Sequence, residues 1–229
     1  PSIHALLAPK PEVKKVLFLV FSSDKGLCGG FNNNLIKYIE KAKKEQEAQG
    51  REVVVSVAGR RAFLYFNGRA EIGQNFVDTT AVPDALEARN MAEYAAEGFL
   101  AGDFDEVYLL YNQFESPLVQ NPFKTKYLPL EQDDFEFEGA EEISTDFIAE
   151  PSPESLLNHL IPRILSFQIF YALLENSAGE HGARMTAMDN ATSNANGMID
   201  ENTLLRNRAR QAAITTELIE IISGAEALK

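Results

Sequence analysis

The sequence predicts an α/β fold, in which a Rossmann-like open sheet domain is followed by one long C-terminal coiled-coil helix. Over residues 1–130, continuous apolar runs alternate with amphipathic segments, as expected for buried strands joined by helices. Residues 131–152 are acidic and lack periodicity, which is typical of a linker. Residues 153–229 consist mainly of helix formers and contain no proline after Pro162. We therefore divide the chain into an α/β domain, an acidic linker and a long helix.

Three segments are predicted to form buried parallel strands, because they are apolar runs rich in branched and aromatic residues. They are Val13–Phe21, Arg51–Ala58 and Asp105–Phe114. A turn signal follows at residues 115–117, and Lys124–Leu130 is predicted to return as an antiparallel edge strand.

Amphipathic segments between these strands predict three helices. Phe31–Gly50 ends at a glycine, and Arg60–Phe66 is a short helix before an Asn-Gly pair. In Pro83–Leu100 the proline opens the helix and Gly102 closes it. Helices in these positions are expected to cover the faces of an open sheet.

The long helix begins with an N-terminal signature, Ser152-Pro153-Glu154, which places a capping hydroxyl before a proline and an acid. At about 1.5 Å per residue the helix would be roughly 110 Å long, several times the diameter of a small domain. The alternative is a helix that lies along its own domain. Beyond Gly182 we disfavour that alternative, because the rest of the chain is too compact to cover such a length. We therefore expect a partner outside this sequence.

Two rows of small and apolar residues run along this helix in steps of seven, offset by three and four residues as in a coiled-coil seam. The first row is Met198, Leu205, Ala212 and Ile219, and the second is Met188, Ala195 and Ala209 with Asn202 interrupting it. So many alanines suit a partner helix that comes close.

Composition limits the classes of function. The 229 residues are 45% hydrophobic, enough for one core and an appendage, and the net charge of -13 argues against nucleic acid as the main partner. The single cysteine excludes an internal disulfide. No apolar run is long enough to span a membrane. The start at Pro1, without an initiator Met, suggests a processed or truncated chain.

The loop Ser22–Gly30 is the most suggestive candidate for a ligand site. A glycine-rich turn between a first strand and a helix is where phosphate-binding loops lie. Its spacing matches neither the dinucleotide fingerprint nor the P-loop, and residues 58–60 provide no acid at the end of the second strand. A tight turn is therefore favoured over nucleotide binding, which stays open as the alternative.

Cys28 is a candidate nucleophile, and the three histidines are candidate metal ligands. A helix N-terminus can activate a thiol, but His4, His159 and His181 are scattered along the sequence, and none obviously reaches Cys28. No pair of histidines has the spacing of metal ligands. We expect a small buried thiol and no metal.

Cations are concentrated at one place in the long helix. Arg206, Arg208 and Arg210 follow one another at alternate positions, and Arg206 and Arg210 share a face at a spacing of four. They form either a solvated charged face or a contact site for carboxylates of a partner. The residue pattern alone leaves both open.

Four segments of the sequence resemble the gamma subunit family of the rotary ATP synthase. They are SSDKGLCGGFNNNL at residues 22–35, VYLLYNQF at 107–114, EHGARMTAMDNATSNA at 180–195 and NRARQAAITTELIEIISGAEAL at 207–228. The resemblance extends over essentially the whole chain. It implies an α/β domain beside an antiparallel coiled coil of the N- and C-terminal helices.

The resemblance also implies a function without a catalytic residue, cofactor or metal. In this family the coiled coil is the central shaft within a ring of alpha and beta subunits, and a membrane c-ring turns it. Epsilon and delta subunits are further partners. The expected place is the cytoplasmic side of the cell inner membrane, as a peripheral subunit in ATP synthesis and hydrogen ion transport.

The family's contact positions match particular residues of this sequence. The resemblance implies beta-subunit contacts for Arg210, Gln211 and Thr215, and an alpha/beta sleeve around Ile219, Ile222 and Leu228. It implies membrane-ring contacts for Phe147 and Glu150, and pairing with the N-terminal helix for Met188, Ala195, Met198 and Leu205.

Two departures from the family pattern stand out. Family members begin with a basic N-terminal helix that we expect to be missing here, and Arg206 stands where a tyrosine is usual. Two rival functions remain as alternatives: an enzyme that uses the Ser22–Gly30 loop for a phosphate or nucleotide, and a free-standing coiled-coil adaptor.

Overall fold

The computed structural model describes residues 5–131 and 152–227, and within them a five-stranded sheet has the order β3-β2-β1-β4-β5. The first four strands along the chain are parallel, and β5 is antiparallel to β4. The strands are β1 Lys15–Phe21, β2 Glu52–Ala58, β3 Glu71–Phe76, β4 Glu106–Ser116 and β5 Val119–Leu128.

A short 3₁₀ turn at Ala5–Leu7 precedes the sheet, and the α-helices are α1 Phe31–Ala48, α2 Arg60–Phe66, α3 Ala85–Ala101 and α4 Pro153–Glu226. The predicted α/β sheet domain and the predicted long C-terminal helix are both confirmed.

Strand β1 is covered on both faces, which explains why its sequence is almost entirely apolar. Leu17, Leu19 and Phe21 belong to a core formed with α3 and the first part of α4. The alternate residues, 16, 18 and 20, belong to a second core formed with α1 and α2. Because successive side chains of a strand point to opposite faces, a strand covered on both faces needs apolar residues at every position.

The structure contains one strand that the sequence pattern did not predict, β3. Its sequence, EIGQNF, is largely polar because β3 is an edge strand and only its last residue is fully buried. Gly73 lies at its centre, where a Cβ atom would come within 2.4 Å of Ser56 Oγ and 2.6 Å of Tyr94 Oη. A strand with this little apolar character gives no recognisable period.

Two predicted boundaries are wrong by a few residues. Pro83 does not open α3: Asp84 is the N-cap, and its carboxylate accepts a hydrogen bond from the amide of Leu86 at 3.2 Å. Strand β5 begins at Val119 rather than Lys124, directly after a turn in which the amide of Val119 donates to Ser116 Oγ. Gly102 closes α3 with a φ of +88°, as predicted.

The predicted start of the long helix is confirmed, because Ser152 Oγ accepts a hydrogen bond from the amide of Ser155 at 3.2 Å. The chain divides into two compact units, Pro1–Thr186 and Ala187–Lys229, and the first of them includes the initial part of α4. Most of the predicted linker, 131–152, lies outside the described residues, so the division into domain, linker and helix stays a prediction.

Candidate functional site

The Ser22–Gly30 loop follows β1 at the point where the strand order reverses, with β2 on one side of β1 and β4 on the other. In open α/β sheets, ligands bind in the crevice outside the carboxyl ends of the strands at this place. Whether the loop can bind a ligand therefore depends on which groups of this chain already occupy the crevice.

Side chains at the start of α1 organise the loop internally. Asn32 Nδ2 donates to Ser23 Oγ at 2.7 Å and to Cys28 Sγ at 3.2 Å, and the Ser23 amide donates to Asn32 Oδ1 at 3.0 Å. Gly29 has a φ of +57°, which supports the predicted need for glycine freedom. Cys28 is 2% exposed and packs with Phe31 and Ala183, as expected of a buried thiol.

Asp24 ties the loop to the start of α2 and to the segment after β3. Its carboxylate accepts hydrogen bonds from the amides of Arg60 and Asp78, both at 2.9 Å, and from the amide and hydroxyl of Thr80 at 3.2 and 2.8 Å. The Arg60 amide is at the N-terminus of α2. A carboxylate of this chain therefore occupies the N-terminus of α2, and its negative charge in the loop disfavours a phosphate close by.

Helix α4 contacts the first part of the loop. Asn176, which is fully buried, donates from Nδ2 to the carbonyl of Ser22 at 3.2 Å. Glu180, 4% exposed, is paired with Arg184, whose guanidinium donates to the carbonyl of Gly26 at 3.4 Å. Through these contacts the loop binds helix α4, and they give no support to a nucleotide site.

The sequence pattern missed these crevice residues. Asn176 and Glu180 stand four residues apart on the otherwise apolar face of α4 that contributes Ile169, Ala172 and Leu173 to the core. A polar pair inside an apolar stripe was the available signal, since a buried polar group requires a partner. Across residues 5–131 and 152–227, three or more His, Cys, Asp or Glu side chains never cluster closely enough to hold a metal ion.

The second unit of the chain presents a different kind of surface. Its large apolar side chains are 39–64% exposed: Met188, Met198, Ile199, Leu204, Leu205, Ile214, Leu218, Ile219, Ile221 and Ile222. Ala195 is exposed as well. So many exposed apolar residues on one helix mark a surface for a protein partner.

The arginines of this unit are free of carboxylates in the part of the chain that the structure describes: no ion pair there includes Arg206, Arg208 or Arg210. Thr215 Oγ1 donates to the carbonyl of Gln211 at 2.9 Å, a bond within the helix. The remaining predicted contact residues, Phe147, Glu150 and Leu228, lie outside the described residues.

An α/β domain that carries a long helix with many exposed apolar side chains is typical of a subunit that binds protein partners, and comparison with known proteins identifies the family. The family model described as ATP synthase matches residues 2–228. The ATP synthase gamma chain of Trichlorobacter lovleyi is 44% identical over 228 residues, covering 100% of this chain and 78% of that protein. The gamma chain of Moorella thermoacetica is 43% identical, covering 97% of this chain and 77% of that protein. The chain belongs to the ATP synthase gamma chain family, so the resemblance stated from its motifs is confirmed.

Solved structures agree on the fold. A chain of the Euglena gracilis mitochondrial ATP synthase, in a structure of its OSCP, F1 and c-ring parts, is 19% identical and aligns with a TM-score of 0.70, covering 98% of this chain and 78% of that chain. A chain from the central stalk and c-ring of the Tetrahymena thermophila enzyme is 21% identical, with a TM-score of 0.63, covering 80% of this chain and 79% of that chain.

Proposed function

We propose that this chain is the rotor subunit in the central stalk of a proton-translocating ATP synthase, where it transmits torque between a membrane c-ring and a catalytic ring of alpha and beta subunits. It carries no active site of its own and needs no cofactor. The observation that supports this function most is the long helix with many exposed apolar side chains, in a member of the gamma chain family.

The partner contacts divide by chemistry along the second unit. Arg210, Gln211 and Thr215 face the beta subunit in this proposal, and the absence of a described carboxylate partner leaves the Arg210 guanidinium available for one. Ile219, Ile222 and Leu228 enter the alpha/beta sleeve. The pairing face for an N-terminal helix consists of Met188, Ala195, Met198 and Leu205. Phe147 and Glu150 meet the membrane ring, and epsilon and delta complete the set of partners.

The chain functions as a peripheral, membrane-associated subunit, and we place it on the cytoplasmic side of the cell inner membrane. None of the helices among residues 5–131 and 152–227 is long and apolar enough to cross a membrane.

Assembly with alpha and beta subunits tests the function. The double variant Arg210→Ala/Gln211→Ala is expected to reduce ATP turnover of the assembled complex by about tenfold, because it removes a charge-assisted contact and its neighbour. Arg163→Ala, an exposed arginine of α4 in the first unit, is the control and should leave turnover unchanged. Equal turnover in both variants would exclude the contact.

The enzyme alternative has its own test. Titration calorimetry of the chain with ATP and ADP is expected to give no heat of binding. Micromolar binding that is lost on substituting Gly29 and Gly30 would overturn the stalk function in favour of a nucleotide enzyme. Failure to co-purify with alpha and beta subunits would instead favour the coiled-coil adaptor.

A further inference from the structure

Helix α4 is held on the sheet domain by directed polar contacts as well as by apolar packing. The apolar contacts come first along the helix, at Ile161, Leu165, Ile169 and Leu173, each at most 1% exposed. Polar contacts to main-chain atoms of the sheet domain follow between Glu175 and Thr186.

One stripe of α4 contacts the last residues of β4 and the turn that follows, between β4 and β5. Glu175 Oε2 accepts a hydrogen bond from the amide of Phe114 at 2.7 Å, and Thr186 Oγ1 donates to the carbonyl of Pro117 at 3.0 Å. Between them, a Cβ atom at Gly182 would stand 3.0 Å from Pro117 Cα, so the helix backbone lies directly against the turn. These residues are seven and four apart and therefore share one face of the helix.

A second stripe contacts the loop after β1. It consists of Asn176, which donates to the Ser22 carbonyl, Glu180 with its partner Arg184 at the Gly26 carbonyl, and Ala183 against Phe31. Because these positions follow the first stripe by one residue, they lie about 100° around the helix. The loop and the turn thus grip adjacent faces of α4.

Two tyrosines lie near the Glu175 carboxylate of the first stripe. Interaction with Glu175 is the main cause that raises the pKa of Tyr171. Burial, with smaller contributions from Tyr171 and Glu175, raises the pKa of Tyr111 to about 12. The Glu175 carboxylate therefore lies beside two phenols and accepts the hydrogen bond of the Phe114 amide.

We propose that these two stripes form a rotational clamp, which prevents α4 from turning about its axis against the sheet domain and so passes torque between the domain and the helix. A turn of about 30° would move atoms at the helix surface by roughly 3 Å. A displacement of that size breaks a hydrogen bond, and contacts on two faces resist rotation in both directions. The torque role rests on the proposed rotor function, whereas the grip itself does not.

The test is torsional stiffness in the assembled complex. The alpha/beta ring is fixed to a surface, and a bead is attached to the sheet domain through Lys44→Cys, at an exposed position of α1; the native Cys28 is buried and should not react. The angular variance of the stalled bead measures the compliance between the domain and the ring. The clamp variant is Glu175→Gln/Thr186→Val, which removes the charge and the hydroxyl at nearly constant volume.

The control applies the same pair of changes to the second unit, Glu201→Gln/Thr216→Val. Thr216 Oγ1 donates to the carbonyl four residues back at 3.0 Å; Thr186 Oγ1 has its equivalent carbonyl, that of Gly182, at 3.2 Å, slightly farther than the Pro117 carbonyl. We expect the angular variance to rise about twofold in the clamp variant, with ATP turnover without load unchanged, because the glutamine oxygen can still accept the Phe114 amide without the charge and only the Thr186 hydroxyl contact is removed. Equal variance in the clamp and control variants would overturn the proposal.

A second measurement separates the clamp from the rotor function. In the chain alone, hydrogen exchange of the amides at 176–186 is expected to accelerate about tenfold in the clamp variant, while 161–173 remain protected. If the chain fails to assemble with alpha and beta subunits, the rotor function is wrong, and the exchange result still decides the grip. Unchanged exchange at 176–186 would contradict it. Asn176→Leu provides an independent variant on the other stripe.

Discussion

The first and second parts of helix α4 have similar backbones and opposite surroundings. From Ile161 to Ala183, a regular series of side chains is buried in the sheet domain. From Met188 onward, every large apolar side chain that the structure describes is at least 39% exposed. The difference shows that a helix can be continuous in structure while its two parts depend on different sources of stability, one within the chain and the other outside it.

The local sequence gives the second part of α4 a low intrinsic helix stability. Residues 189–197, Asp-Asn-Ala-Thr-Ser-Asn-Ala-Asn-Gly, contain only two alanines among poor helix formers. Their summed propensities cost about 4–5 kcal/mol relative to polyalanine. Within 187–227 the described residues form no ion pair that would offset this cost. Packing against a partner is the remaining source of stability.

The largest contrast is expected from leucine truncation. Leu173→Ala removes a fully buried side chain and should lower the free energy of unfolding by about 3 kcal/mol, through lost transfer energy and a cavity. Leu205→Ala, at a position 53% exposed, should change it by less than about 0.5 kcal/mol. Chemical denaturation of the chain alone measures both. Similar losses would mean that the second part is also packed without a partner.

Acidic residues provide the next contrast. Asp24→Ala leaves the amides of Arg60, Asp78 and Thr80 without their acceptor, and about 2 kcal/mol of stability should be lost. Asp200→Ala is the matched change on the exposed helix and should be nearly neutral. Thermal unfolding distinguishes them. A neutral Asp24→Ala would remove the structural account of the Ser22–Gly30 loop.

Substituting alanine for each of two glycines of α4 should change stability in opposite directions. A Cβ atom at Gly197 would meet nothing within 4 Å, so Gly197→Ala should favour the local helix by about 1 kcal/mol. At Gly182 a Cβ atom would press on Pro117 Cα at 3.0 Å, so Gly182→Ala should destabilise the first unit despite its better propensity. Circular dichroism at increasing temperature detects both signs. Stabilisation by both substitutions would contradict the close seat of α4.

The smallest expected effect depends on pH and is confined to the first unit, which contains all seven tyrosines. Burial raises the pKa of Tyr111 to about 12. A raised phenol pKa contributes stability that is fully present below the unfolded value near 10 and is lost as pH rises through 12. Tyr111→Phe should therefore reduce the loss of folding stability at alkaline pH, measured by chemical unfolding between pH 9 and 12. If the loss of stability is unaltered in Tyr111→Phe, other groups cause it.

The sequence predicted the buried apolar strands of the fold, but it predicted few of the polar contacts. Strands β1, β2 and β4 are buried on one or both faces, so their apolar runs identified them. Edge strand β3 has no such run. The roles of Asp24 and Asn176 depend on backbone groups 36–56 and 154 residues away in sequence, respectively, and local pattern does not encode those distances.

The exposed apolar surface of the second unit, unlike the polar contacts, could be predicted from local pattern. Met198, Leu205 and Ile219 could be predicted because exposed apolar residues at steps of seven have no role inside a small domain. Which partner covers each stripe follows from the family resemblance alone and stays a prediction.

Hydrogen exchange of the chain alone and after assembly with alpha and beta subunits tests the central claim most directly. Peptides within 161–183 should be protected in both states, because the sheet domain buries them. Peptides within 187–227 should exchange rapidly in the chain alone and become at least about tenfold slower in the complex. Strong protection of 187–227 without a partner, or none after assembly, would contradict the account.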